Sequence, residues 1–278
     1  MTAPIPIVLL TDFGTHDTYV GQVKAVLTAR APGAPLIDLT HEVSPYAIDE
    51  GAWLLDTALP FLPAPAVVLA VVDPGVGSER LPIAVRAPVP GDPTAVRYFV
   101  GPDNGLLSAA IPPDARPSQP GPCPAPDGLD VRAIENPEAR LATVSATFHG
   151  RDLFAPAVAR IAVTGDHESL GSARDTLTLL PPFVGRREGQ SVHGTVIHSD
   201  RYGNLVTTIR KEQLPSSFIL DINSHCIERV VRTFSDAPPG ALACHVDSSG
   251  FLAIAEREGN AAERLGAARG DAVVLRPR

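Results

Sequence analysis

Ala66-Val67-Val68-Leu69-Ala70-Val71-Val72 runs straight into Asp73-Pro74-Gly75-Val76-Gly77-Ser78-Glu79-Arg80. Seven apolar residues stop at an aspartate, and a Pro-Gly-Val-Gly turn carries the chain to an acid and an arginine. An unbroken apolar run bounded by turn residues is the pattern of a strand buried on both faces, as parallel sheets are. In open α/β sheets, ligand sites form at the carboxyl ends of such strands. Asp73 and Arg80 are therefore either a strand-end salt bridge or a charged pair beside a cleft.

The surrounding segments extend this reading. Ile5 to Leu10 predicts a first strand, ending in Thr11-Asp12-Phe13-Gly14. Val20, Val23, Val26 and Leu27 predict a helix over about 17–31, stopped by Pro32-Gly33. Pro35 to Leu39 is a second strand. Ser44-Pro45 opens a second helix, with Ser44 as N-cap, Pro45 at its first position and Ile48, Ala52, Leu55 and Leu59 on one face. Ile83–Val85 and Tyr98–Val100 read as further strands, and a helix is expected from about Asp152 to Ala162. Prolines at 88–93 and 112–126 read as loops, the second exposed.

Beyond the breaker-rich link at 180–189 the pattern changes. Short alternating segments recur at Ser191–His198, Asn204–Ile209, Ile227–Phe234, Ala241–Val246, Phe251–Ala255 and Ala272–Leu275, with turns between them. The expected fold class is α/β. Residues 1–184 form a Rossmann-like domain with a largely parallel sheet, and 185–278 a smaller antiparallel β-barrel domain.

Composition narrows the function. The chain has 278 residues, 44% hydrophobic and 19% charged, enough for a substantial core. A net charge of −8 argues against non-specific binding to nucleic acid or anionic membranes. Three scattered cysteines (Cys123, Cys226 and Cys244) form no CxxC pair, so neither a disulfide framework nor a zinc site is expected. No basic leader is visible at Met1–Pro6 and no apolar run approaches the ~20 residues of a membrane span, so the expected location is the cytoplasm.

Four clusters lie at strand ends or turns. In the first, Asp12 is placed to bind a ribose diol or simply to shape a turn, and Asp17 is a candidate ligand group or a helix cap. Asp73 and Arg80 are the second. In the third, Thr147-Phe148-His149-Gly150-Arg151-Asp152, His149 is a proton shuttle or a structural histidine, and Asp152 can be merely the cap. The fourth, Asp200-Arg201-Tyr202-Gly203-Asn204, sits beside Asp247-Ser248-Ser249-Gly250 in the pattern. Both are ordinary β-turns or readers of a base edge and an amino-acid carboxylate. There is no GxGxxG before a helix, no GxxxxGK[ST], HExxH or GxSxG. Asp12, His16, Asp17, Asp73 and His149 have no metal-ligand spacing, so neither a metal nor a cofactor is expected.

Taken together, Leu9–Gly14, Asp49–Ala52, Val72–Gly77, Gly101–Leu107, Thr147–Asp152, Asp200–Leu205 and Gly259–Ala262 resemble, in order, the SAM hydroxide adenosyltransferases, relatives of the fluorinase and chlorinase. The resemblance implies an α/β domain followed by a β-barrel domain. It also implies a homotrimer with active sites where one subunit's N-terminal domain meets its neighbour's C-terminal domain. The implied reaction is attack of water on C5′ of S-adenosylmethionine, releasing adenosine and methionine, with SAM as substrate. The catalytic set it implies falls on Asp73, Arg80 and His149, and the ribose-binding acid on Asp12. Tyr46 takes the place of an aromatic beside the substrate. Asp200 matches the acid near the methionine ammonium, Asn204 the adenine-binding Asn, Ser248 the serine near the carboxylate, and Asn260 and Ala261 the segment giving adenine its backbone contacts. Where the fluorinase-like pattern has Arg after that serine, this chain has Ser249. The halogenases carry Tyr in place of Asp73 and lack His149, which favours a hydrolase.

The chemistry suits such a set. A sulfonium leaves without protonation, so the task is to align one water behind C5′ and draw off its proton. Alignment draws on the ~7–11 kcal/mol available from proximity, and proton removal adds ~10²–10⁴-fold. Asp73 and His149 can each accept a proton, whereas Arg80 can only donate. Two other readings remain: a SAM- or adenosine-binding module with little turnover, and a chloride halogenase using SAM.

Overall fold

The computed structural model describes residues 3–278; Met1 and Thr2, the start of the segment inspected for a leader, lie outside the described residues. The chain divides into two compact units, one ending at Pro182 and the other running from Phe183 to Arg278.

The first unit contains β1 (Ile7–Thr11), α1 (Tyr19–Arg30), β2 (Leu36–Thr40), α2 (Ile48–Ala58), β3 (Ala66–Val71), β4 (Pro82–Val89), β5 (Asp92–Pro102), β6 (Gly121–Pro124), β7 (Asp130–Ala133), α3 (Ala155–Thr164) and β8 (Thr176–Leu179). Its six-stranded sheet has the order β2-β1-β3-β5-β4-β7. The β1–β2, β1–β3 and β3–β5 pairs are parallel, and β4 pairs antiparallel with β5 and β7. Alternate residues explain the apolar runs. Ile7, Leu9, Val67, Leu69 and Val71 pack with Val23 and Leu27 of α1 and Val158 and Ile161 of α3. On the other face, Leu10 and Val72 approach Gly51 of α2. Both faces are covered, so the strands are apolar throughout.

The order has a functional consequence. From β1 the chain moves outward to β2, then returns past β1 to β3. The ends of β1 and β3 thus flank the point where the winding reverses, where a crevice opens in such sheets. Asp12 follows β1 and Asp73 lies two residues beyond β3.

Several local expectations need correction. The second helix starts at Ile48 rather than Pro45, and Ser44 is not its cap. Instead the Ser44 amide donates to Glu50 Oε2 at 3.0 Å, and Tyr46 takes a positive φ of 67° in the turn ahead of the helix. Residues 88–93 are not a loop: they form the tip of the β4–β5 hairpin, where Val89 pairs with Asp92. Part of the proline-rich stretch at 112–126 is β6, paired with β8. The third helix is preceded by a wider π-type turn over Gly150–Phe154, in which the Ala155 amide reaches back to the Gly150 carbonyl.

The second unit contains β9 (Arg186–Glu188), β10 (Ser191–Ser199), β11 (Leu205–Arg210), β12 (Phe218–Ile222), β13 (His225–Ile227), β14 (Leu242–Val246), β15 (Phe251–Glu256), α4 (Ala261–Leu265) and β16 (Ala272–Pro277). Its antiparallel sheet runs β13-β12-β16-β10-β11-β15-β14, with β9 on β10. Beyond β13, the Arg229 carbonyl accepts from the Cys244 amide and the Val231 amide donates to the Cys244 carbonyl. These bonds bring the sheet's two ends together into a nearly closed barrel around Val196, Leu205, Ile254, Val273 and Leu275. The strand expected over 227–234 stops at Ile227, and β9, β12 and most of β13 lie where no strand was expected. Among the described residues, no helix is long and apolar enough to cross a membrane.

Candidate active site

The turn after β3 is built to hold Asp73 and Arg80 together. The Val76 amide closes on the Asp73 carbonyl, and Ser78 bonds Gly75 through both its amide and its hydroxyl. This tight turn returns Arg80 to Asp73. Arg80 Nε donates to Asp73 Oδ1 at 2.9 Å and Nη2 donates to Asp73 Oδ2, a two-pronged ion pair. The two side chains are only 6% and 10% exposed, and the guanidinium lies 5.3 Å from the buried Phe154 ring. The pair is therefore shielded from water on most sides.

A second bond from the same nitrogen brings in the third cluster. Arg80 Nη2 lies 2.9 Å from His149 Nδ1. A guanidinium only donates, so Nδ1 accepts and the neutral ring carries its proton on Nε2. Burial holds the His149 pKa below its ordinary value and the Arg80 charge lowers it further, against the opposing pull of Asp73 and Asp152. The loop before His149 abuts the Asp73 turn. Gly77 has φ +79°, and a Cβ there would lie 2.6 Å from the Ala146 carbonyl oxygen.

Asp12 joins from β1. Its Oδ2 accepts from the Tyr46 amide at 3.0 Å, which holds Tyr46 in its left-handed conformation with the side chain outward, 73% exposed overall. Burial raises the Asp12 pKa above its ordinary value. The Tyr46 amide and its own amide oppose that rise, and the Asp73 charge adds to it. Two carboxylates thus approach each other at the ends of adjacent strands. Phe13 stacks edge-on against Phe148 at 5.6 Å, tying the β1 loop to the segment bearing His149. Asp17 is not drawn into this set; it stays on the surface, 3.9 Å from His16 Nδ1.

The second unit gathers the other candidates around turns. The Asp200 carboxylate accepts from the Tyr202 and Asn204 amides and from Asn204 Nδ2, all within 2.9 Å. Asn260 caps α4 through the Glu263 amide, and a Cβ on Gly203 would lie 1.9 Å from Asn260 Oδ1. Asp200, Asn204 and Asn260 thus come together, with Ala261 buried at the helix start. Ser248 stands exposed on a turn held by Asp247, whose Oδ1 accepts from the Ser249 and Phe251 amides. Burial lowers the His245 pKa, while Asp247 and Asp200 both raise it, so the two turns share this neighbour. Among the described residues, no three His, Cys, Asp or Glu side chains are grouped to hold a metal ion.

The family models match both units: the SAM hydroxide adenosyltransferase N-terminal domain over residues 7–171 and its C-terminal domain over 194–274. The chain belongs to the SAM hydroxide adenosyltransferase family. It is 39% identical to a protein of Thermus thermophilus named (R)-S-adenosyl-L-methionine hydrolase, over 97% of this chain and 99% of that one. A crystal structure of an uncharacterized conserved protein from Thermotoga maritima superposes with a TM-score of 0.83 at 32% identity, covering 97% of this chain and 99% of that one. A fluorinase from an Actinoplanes species is more distant, 23% identical over 90% of each chain.

Several supporting residues escaped the sequence reading. Buried His41 bridges Thr11 Oγ1 at 2.8 Å and Asp38 Oδ1 at 3.1 Å, and Asp38 also takes Lys24 Nζ. Thr11 Oγ1 accepts from the Phe13 amide, and the His41 carbonyl accepts from the Gly14 amide. This string braces the loop carrying Asp12. Asn104 Nδ2 donates to the Val72 carbonyl at 2.9 Å and braces the residue before Asp73. The first string has no sequence signal, because its members touch only after folding. Asn104 had one: it lies in Gly101–Leu107, a stretch that carried the resemblance.

Proposed function

We propose that this protein hydrolyses S-adenosylmethionine to adenosine and methionine, by attack of water on C5′ with the sulfonium leaving. The observation that carries the reading is the hydrogen-bonded set Asp73–Arg80–His149 at the end of β3. The relatives named as hydrolases support it. As the O–C5′ bond forms and the C5′–S bond breaks, the bonding pair passes to sulfur and one water proton is lost.

The arrangement of donors divides the labour. His149 has its Nδ1 lone pair turned towards Arg80 and its proton on Nε2, so it is a donor and orients the water oxygen. Asp73 keeps an unused lone pair on each oxygen and accepts the proton, which then passes to solvent. Arg80 stabilises negative charge as it develops on the attacking oxygen. Asp12 holds the ribose diol, with Tyr46 beside it; Asp17, on the surface, takes no part. Asp200 meets the amino-acid ammonium, Ser248 its carboxylate, and Asn204, Asn260 and Ala261 the adenine. The working assembly is a homotrimer with sites at subunit interfaces, expected to show a solution mass three times that of the chain.

The test is incubation of the purified protein with SAM in ¹⁸O-water, with mass analysis of the products. The relatives' names specify the (R) form, so both sulfonium epimers are assayed. The expected result is ¹⁸O in adenosine, unlabelled methionine and no effect of chelator. SAM recovered intact would make the protein a binding module instead. A chlorinated nucleoside in high chloride would make it a halogenase.

A further inference from the structure

Asp152 is 1% exposed, and a buried carboxylate is costly unless it is fully bonded. Here it is fully bonded. Oδ1 accepts from Arg151 Nε at 2.6 Å, and Oδ2 from Arg151 Nη2 at 3.0 Å and from the Ser145 amide at 2.8 Å. Arg151 is fixed in turn. Its Nη1 donates to Gln22 Oε1 on α1 at 2.8 Å, and its guanidinium lies 4.9 Å from the Phe148 ring.

Asp152 does not serve as a helix cap. A capping side chain accepts from an amide two or three residues ahead. Asp152 accepts from an amide seven residues behind, and α3 starts at Ala155 without a side-chain cap bond. What it fastens is the loop before it. The Asp152 carbonyl accepts from the Leu141 amide, its own amide donates to the Phe148 carbonyl, and its carboxylate holds Ser145. The loop is thus tied at its start, middle and end. Ala146, next to Ser145, is the residue that abuts Gly77 of the Asp73 turn, and His149 closes the loop.

We propose that Asp152, clamped by Arg151, is a positioning residue that sets the His149 ring on Arg80 by pinning the loop 141–149. The proposal rests on the reading of His149 as part of the reacting set. Asp73 and Arg80 face His149 from the β3 turn and Asp152 from its own turn. Burial and Arg80 lower its pKa, and both carboxylates raise it.

The experiment uses Asp152→Asn in the full chain. It reads the melting transition, kcat and KM for SAM, and the pH titration of the His149 ring by NMR. The expected result is a folded protein with kcat down by about 10²-fold, KM within about threefold, and the His149 titration moved to lower pH. A kcat equal to the parent's in a folded variant overturns the proposal, since a merely structural aspartate would leave it unmoved; the titration shift alone follows from the lost Asp152 charge. If Asp152→Asn does not fold, Gln22→Ala loosens the Arg151 anchor and leaves the buried pair intact. A several-fold lower kcat at constant KM is expected there, and parent kinetics overturn the proposal. His149→Ala separates the two readings. Turnover at the parent rate in that variant removes His149 from the reacting set, while the backbone amide shifts of residues 141–149 in Asp152→Asn still decide whether Asp152 pins the loop.

Discussion

Gly77→Ala tests whether the approach of the Asp73 turn to the His149 loop governs turnover. The perturbation has two parts. At φ +79° an alanine pays the left-handed backbone penalty, about 1–2 kcal/mol. Its Cβ would also lie 2.6 Å from the Ala146 carbonyl oxygen, where an ordinary C···O approach is about 3.3 Å. The shortfall of about 0.7 Å must be taken up by moving the turn, the loop, or both. Since a misplacement of about 1 Å can cost about 10²-fold in rate, kcat should fall between about 10- and 10²-fold. Gly91→Ala is the control. Gly91 has φ +82° at the β4–β5 hairpin tip, with nothing within 4 Å of a built Cβ. It carries the same backbone penalty without the collision. Each 1 kcal/mol should lower Tm by about 2–4 °C in a unit of this size. Tm by calorimetry and kcat by chromatographic release of adenosine give the readout. Both variants should melt lower, and only Gly77→Ala should lose rate. If its kcat stays within twofold of the Gly91→Ala value, the spacing between turn and loop does not set the rate, and the reasoning fails.

The acid limb of kcat/KM should lie below the ordinary histidine pKa of 6.5, because burial and Arg80 keep His149 neutral. With the folded pKa depressed, the unfolded chain binds the proton first; stability should therefore fall as pH drops from 6.5 towards the folded value, and Tm measured across that range checks the sign. Asp12→Asn should weaken SAM binding yet raise Tm near neutral pH. The folded Asp12 pKa is raised, so the parent loses stability as pH climbs from 3.8 through that higher value, and the Asn variant does not. A Tm difference that stays constant across this range would contradict that assignment.

The strands of the first unit were legible where packing repeats along the chain. The β1 and β3 runs are apolar throughout because α1 and α3 cover one face and α2 the other. That also made Asp12 and Asp73 visible, as the first charges after each run. The start of α2 was not legible. Ser44-Pro45 is a good local start signal, but Asp12, 34 residues away from Tyr46, takes the Tyr46 amide and holds that residue at positive φ. A tertiary bond outweighs the local cap. The hairpin at 88–93 was missed because proline argues against a strand, yet Pro88 is accommodated in β4 opposite Val96. In β12, Phe218, Leu220 and Ile222 alternate inward as a strand should, so the signal was present. For the site, the Asp73–Arg80 pairing was legible from seven-residue spacing across a tight turn. The tautomer of His149 was not, since it depends on which nitrogen meets Arg80.

Pairing Asp73 with Arg80 also resolves an electrostatic conflict in the proposed reaction. The substrate enters as a sulfonium cation, and that positive charge disappears as the C5′–S bond breaks. Unpaired carboxylates close to sulfur would favour the substrate over the transition state and slow the step. The proposed reaction nonetheless needs a base for the water proton, and with His149 Nδ1 taken up by Arg80 that base is Asp73. The two-pronged bond from Arg80 leaves Asp73 ionised and fixed in direction while cancelling most of its charge at a distance. The same guanidinium then faces the oxygen on which negative charge grows. The bond to His149 Nδ1 makes this arrangement consistent, because a neutral ring adds no second cation to repel the substrate. An Asp–Arg pair without the histidine would hold its charge as well, but would lack the Nε2–H that orients the water in the proposed reaction. A histidine without Arg80 would be free to exchange tautomers and would lose one of the two causes, with burial the larger, that keep its pKa low. In the proposed reaction the three groups therefore act as one unit, held together by the bonds from Arg80 to Asp73 and to His149.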